Sequence, residues 1–96
     1  MIWFTVETRY TTDRDRLAAV RPRHRDYLRG LAEQGKVLAG GPFADGSAGF
    51  AVYRVDDAAE LDRLLAEDPY TTEEIAAKRV VREWKITLGP WAEATH

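Results

Sequence analysis

Two histidines and no cysteine occur among the 96 residues, which narrows the side chains able to move a proton near neutral pH. His24 falls on the apolar stripe of a helical segment, four residues after Val20 and four before Leu28, so it faces inward. An inward histidine at the edge of a semi-enclosed pocket suits general acid/base catalysis. The same position equally describes a core histidine satisfied by a backbone carbonyl. Arg21 lies one helical turn earlier and would sit beside His24 at the pocket mouth. There its planar fork could hold a substrate carboxylate, or it could simply be a solvated arginine.

Asp68, in Asp-Pro-Tyr, reads as a helix N-cap followed by proline at the first helical position. It could instead orient the imidazole of His24 and stabilise its cation. Thr71 with Glu74 offers a competing capping box just downstream, so Asp68 is not the only available cap. Gly40-Gly41-Pro42-Phe43 suits a pocket wall where bare backbone meets a ligand, and equally an irregular, protected edge strand.

Other chemistries lack their residues. Without cysteine there is no disulfide framework, thiolate metal site or cysteine nucleophile. The second histidine is His96, and neither His-x-x-x-His nor a carboxylate cluster at ligand spacing occurs, so no metal is expected. No Gly-x-Gly-x-x-Gly or P-loop is present for nucleotide phosphates. The basic run Arg14, Arg16, Arg23, Arg25 and Arg29 is answered by Asp56, Asp57, Glu60, Asp62 and Glu67 in the second helical region, and the formal charge is −2. Charge complementarity between adjacent helices is the expectation, and nucleic-acid binding is not. The N-terminal MIWFTVETRY has no basic start followed by an apolar run, and no segment approaches the roughly 20 apolar residues that span a bilayer. A cytoplasmic protein without a membrane segment is expected.

The elements that must position these residues follow from periodicity. The apolar fraction of 45% and charged fraction of 31% are those of one globular domain, covering residues 1–96, with a modest core. IWFTVET (2–8) is β-branched and aromatic and reads as the first strand. Leu17, Val20, Tyr27, Leu28 and Leu31 mark a helix between Asp13 and about Gln34, with Gly35 as its stop. Pro22 implies that the main helix begins near Arg21, after a short turn or helix over 13–19. Residues 36–43 form a second strand, irregular at Gly40-Gly41-Pro42, and Asp45-Gly46 turns into a third at 49–55. Asp57 with Glu60 caps a second helix ending before Asp68-Pro69, and residues 79–88 close the domain as a fourth strand.

The order is βαββαβ, which most economically gives an α+β, ferredoxin-like fold: a four-stranded antiparallel sheet with two helices on one face. The other face would be bare, yet the first strand carries Trp3 there and the third carries Phe50 and Val52. Either aromatics such as Trp3 and Tyr53 sit part-exposed, or the chain is a homodimer packed sheet to sheet; the second is the expectation.

The segment Arg21-Pro-Arg-His24-Arg-Asp-Tyr27-Leu28, Gly35, the Gly41-Pro42-Phe43 strand, Asp68-Pro69-Tyr70 and a closing strand near Trp84 together resemble the YciI-like (YCII-related) family over nearly the whole chain. The resemblance implies a dimeric α+β barrel and a pocket in which a histidine and an aspartate act as a pair. Those roles transfer to His24 and Asp68, with Arg21, Gly41, Pro42, Phe43 and Tyr70 as candidate substrate-binding residues. The doubled glycine at 40 and 41 and the tail from Gly89-Pro90-Trp91 depart from the family pattern. The functional expectation is a cofactor-independent lyase, isomerase or hydrolase in which His24 moves a proton on a small carboxylated or aromatic substrate. Its rival is a dimeric module that binds or senses a small molecule without transforming it. A third reading is an interaction domain in which His24 is only core.

Overall fold

Nine residues free of glycine and proline, Ile2–Tyr10, form β1. The computed structural model describes residues 1–95; His96 lies outside the described residues. After β1 come α1 (Arg14–Glu33), β2 (Val37–Pro42), β3 (Ala48–Val55), α2 (Ala58–Glu67), a short α3 (Pro69–Thr72) and β4 (Ala76–Glu83), with a 3-10 helix at Pro90–Thr95. The sheet has the order β2-β3-β1-β4 and is antiparallel throughout, the ferredoxin-like arrangement. Alternation puts Phe4 and Val6 of β1 and Ala51, Tyr53 and Val55 of β3 on one face, packed with Leu31 of α1 and Leu61, Leu64 and Leu65 of α2. This cluster is the main core.

Pro22 does not start the main helix. α1 runs unbroken from Arg14, because Asp13 caps that end by accepting from the Arg16 amide at 3.1 Å, and Leu17 and Val20 bury the first turns. Pro22 and Ala18 are both exposed, so the carbonyl that the missing proline N–H leaves free faces water. The irregularity expected at Gly40-Gly41-Pro42 sits earlier. Gly40, Gly41 and Pro42 pair in register with Ala51, Phe50 and Gly49, and the shift falls between Val37 and Ala39. The 45–46 turn closes as expected, with Gly46 at φ 73° and the Phe43 amide bonded to the Ala48 carbonyl at 2.8 Å.

β4 spans Ala76–Glu83 instead of 79–88. It pairs only with β1, and once Glu83 stands opposite Phe4 and the Trp84 amide has bonded to the Trp3 carbonyl, that partner runs out. The chain then crosses the outer face of the sheet. Ile86 and Ala92 bury against Trp3 and Val52, and the Trp91 ring lies 5.7 Å from that of Trp3. The outer face is therefore partly covered by the chain's own C-terminal segment. Trp3 and Tyr53 are only 3% and 2% exposed, which removes the part-exposed explanation for both.

The expected charge seam between α1 and α2 is also revised. Arg23 pairs with Glu73, just beyond α3, at 3.5 Å; Arg29 pairs with Asp26 of its own helix; and Glu60 of α2 is taken by Lys36 at 2.8 Å.

Candidate active site

Asp68 joins α2 to α3 and is the C-cap of one and the N-cap of the other. Its Oδ1 accepts the Tyr70 amide at 2.9 Å and also lies 2.7 Å from Nδ1 of His24, so the oxygen that caps the helix is the one that meets the imidazole. The rival cap does not form, because the Thr71 hydroxyl donates to the Leu65 carbonyl at 2.6 Å. Asp68 is 1% exposed. A carboxylate so deeply buried must be paired to stay charged. Oδ2 accepts from Nη2 of Arg79 at 3.1 Å and supplies that pairing.

Arg79 is a site residue that sequence reasoning missed. It reaches Asp68 from β4, bonds Thr8 Oγ1 through Nε at 3.2 Å, and is held by the Thr71 hydroxyl and the Leu65 carbonyl through Nη1. Local spacing does not mark it. The register that sets Arg79 opposite Thr8 is a tertiary feature, and Val81, two residues on along the same face of β4, is 43% exposed, so alternation in this strand does not single out a buried arginine.

The His24 ring is stacked on Tyr70, with centroids 3.7 Å apart and planes within 2°. Tyr10 meets the same Tyr70 edge-on at 5.7 Å. An ionised carboxylate only accepts, so Nδ1 of His24 is the donor and Nε2 is the nitrogen left for other chemistry. Beside the pair lies a cavity of about 420 Å³, lined by His24, Asp68, Tyr70, Arg21, Gly41 and Pro42 among others. The structure thus gathers six of the seven sequence-derived candidates around one space. Phe43 does not line it: its ring stacks on Phe50 at 5.9 Å and is 40% exposed. Tyr10, Arg25 and Gly49 line the cavity and were not among the candidates.

Burial raises the Tyr10 phenol above its usual range, as does Tyr70, while Arg21 and Arg25 pull the other way. Burial likewise pushes Tyr27 up to about 12, helped by Glu67 and Asp68, and its hydroxyl donates to the Leu64 carbonyl at 2.6 Å. Both phenols are protonated donors at neutral pH. Among the described residues, no group of three or more His, Cys, Asp or Glu could hold a metal ion, and no helix is long and apolar enough to cross a membrane.

Comparison with known proteins agrees with this architecture. A family model described as the YCII-related domain matches residues 1–85. The chain belongs to the YCII-related family. Among solved structures, this YCII-related chain is similar to the 5-chloro-2-hydroxyhydroquinone dehydrochlorinase of Burkholderia phenoliruptrix AC1100, in complex with 2,5-dihydroxybenzoquinone. The TM-score is 0.76 at 20% identity, over 86% of this chain and 93% of that one. It is also similar to an antibiotic biosynthesis monooxygenase, with a TM-score of 0.58 at 18% identity over 90% and 98% of the two chains. At these identities the likeness establishes a shared fold. No curated protein matches the chain.

Proposed function

We propose that this YCII-related protein is a cofactor-independent enzyme of lyase, isomerase or hydrolase character, acting on a small carboxylated or aromatic substrate. The observation that carries the reading is the 2.7 Å contact between His24 and Asp68 at the wall of a 420 Å³ cavity. In this scheme Nε2 of His24 removes a proton from the substrate. The released electron pair either expels a leaving group, which departs with its bonding pair, or shifts a double bond, after which the imidazolium returns the proton at the new position; in a hydrolysis the proton taken is that of the attacking water. Asp68 holds the tautomer and stabilises the imidazolium, while Arg79 pairs with the other oxygen of Asp68. Arg21 holds the substrate's anionic group. The dehydrochlorinase of the same fold acts on a chlorinated hydroquinone, which favours a ring-sized substrate and an elimination as the first reaction to assay.

The test is a turnover screen over halogenated hydroquinones, hydroxyquinones and small carboxylic acids, with chromatographic analysis of every compound that raises the melting temperature. His24→Asn should melt within a few degrees of the parent and lose turnover of each substrate found. Turnover that survives in this variant removes His24 from the chemistry. Bound compounds that are all recovered unchanged after long incubation establish the binding-module reading in its place.

We also propose a homodimer through the outer sheet face and a cytoplasmic setting. Phe50 shares the outward register with Val52, is 38% exposed and carries Phe43 on its ring, so an apolar patch stays open beside the C-terminal segment. Sedimentation should return a dimer at micromolar concentration, and a monomer there overturns it.

A further inference from the structure

The charged side chains around the cavity do not balance. Asp68, its buried carboxylate, is matched by Arg79, and Arg29 is matched by Asp26 at 2.6 Å. Arg21 and Arg25 are left. They stand one helical turn apart on α1, both line the cavity, and among the described residues neither takes part in an ion pair. Tyr10 lines the same space from the end of β1, and its phenol lies within the electrostatic reach of both arginines. A missing side chain seats that phenol: a Cβ on Gly49 would fall 2.6 Å from the Tyr10 hydroxyl. Glycine at 49 is what allows the hydroxyl to lie over the strand at the cavity wall.

We propose that Arg21, Arg25 and Tyr10 form an oxyanion subsite, and that the cavity takes planar, single-ring acids whose carboxylate is held there while the ring lies near His24 and Tyr70. Two guanidinium groups donate and cannot accept, and the protonated phenol adds an O–H donor, so the donors lining this cavity favour an anion over a neutral group of the same shape. The parallel stack of His24 and Tyr70 gives the cavity flat aromatic rings, which suit a planar ligand. A volume of about 420 Å³ is near the small end of ligand pockets, roughly 300–1,000 Å³, and fits one ring with its substituents. The proposal deepens the enzymatic reading by naming the substrate class: it shares with that reading the hold of Arg21 on an anionic group, adds Arg25 and Tyr10 to it, and rests on that reading for the role of His24.

Calorimetric titration with benzoate and its neutral isostere benzamide tests the subsite without knowledge of the substrate. Benzoate should bind the parent more tightly than benzamide by about tenfold or more. That preference should persist in His24→Asn, which keeps all three donors. In the double variant Arg21→Gln/Arg25→Gln it should fall by about tenfold or more, and in Tyr10→Phe several-fold. Circular dichroism checks that each variant is folded, and Arg25→Glu, at an exposed position, provides a second probe and should weaken benzoate alone. Equal binding of the two probes, no binding of either, or an unchanged preference in the double variant overturns the subsite. Benzoate selectivity together with failure to find turnover leaves the subsite standing and counts against catalysis only.

Discussion

Nη2 of Arg79 on β4 lies 3.1 Å from Oδ2 of Asp68, the carboxylate oxygen that His24 does not use. The contact joins the strand farthest from β2 in the sheet to the α2–α3 junction, and it makes a buried carboxylate compatible with a folded interior.

Arg79→Met removes that cation while keeping much of the side-chain volume. Asp68 then stays buried with one neutralising partner fewer, and the loss of stability should be about 3 kcal/mol, read as a lower urea midpoint with an unchanged slope. A loss within about 0.5 kcal/mol, the range of ordinary surface substitutions, would show that Arg79 is dispensable to Asp68.

Asp68→Asn separates the two roles of one residue. The amide oxygen still accepts from the Tyr70 N–H, so the cap survives, while His24 loses its anionic partner and Arg79 loses its counter-ion. Turnover of any substrate found for the parent should fall on the order of 10³-fold, with helix content unchanged by circular dichroism.

Gly49→Ala drives a Cβ into the Tyr10 hydroxyl, and the nearest ring carbon, Cζ, would be 3.4 Å away. The single substitution should destabilise by about 1–3 kcal/mol. In a Tyr10→Phe background the clashing oxygen is gone, so the cost of Gly49→Ala should shrink, giving a coupling above about 0.5 kcal/mol in a double-mutant cycle. Additive costs would show that the two side chains do not meet.

The pH dependence of stability should carry a signature of Glu60. Its carboxyl is held below the ordinary range chiefly by the hydrogen bond from Lys36, and then by the Asp56 amide, which donates at 2.8 Å. A depressed folded value means that the contribution is complete above the ordinary glutamate value of about 4.3 and is lost as pH falls through the folded value. Urea unfolding from pH 7 to pH 3 should therefore show Glu60→Gln less stable than the parent at neutral pH, with the difference closing under acid. A constant difference would remove the ionised pair as its cause.

Local pattern already determined much of this protein. Alternation in β1 and β3 put Phe4, Val6, Tyr53 and Val55 on one face and Trp3 and Val52 on the other. The three- and four-residue steps of α1 turned Leu17, Val20, His24, Leu28 and Leu31 inward, where the structure buries or half-buries all five. Asp68-Pro69 was legible as a cap, and the combined motifs as YCII-related. Periodicity reports which side of its own element a residue occupies, and the faces of β1, β3 and α1 require no more than that.

Tertiary structure alone decided what faced what. His24 and Asp68 are 44 positions apart, and their 2.7 Å contact depends on how α1 and the α2–α3 junction seat on the same sheet. Arg79 reaches Asp68 because β4 pairs with β1 in a register that sets it opposite Thr8, and Tyr10 enters the cavity because Gly49 leaves room for its hydroxyl. Trp3 is covered because β4 runs out of partner at the start of β1 and the chain turns back across the sheet. Each of these rests on sheet order, register and long-range packing, which involve residues too distant in sequence for local spacing to specify.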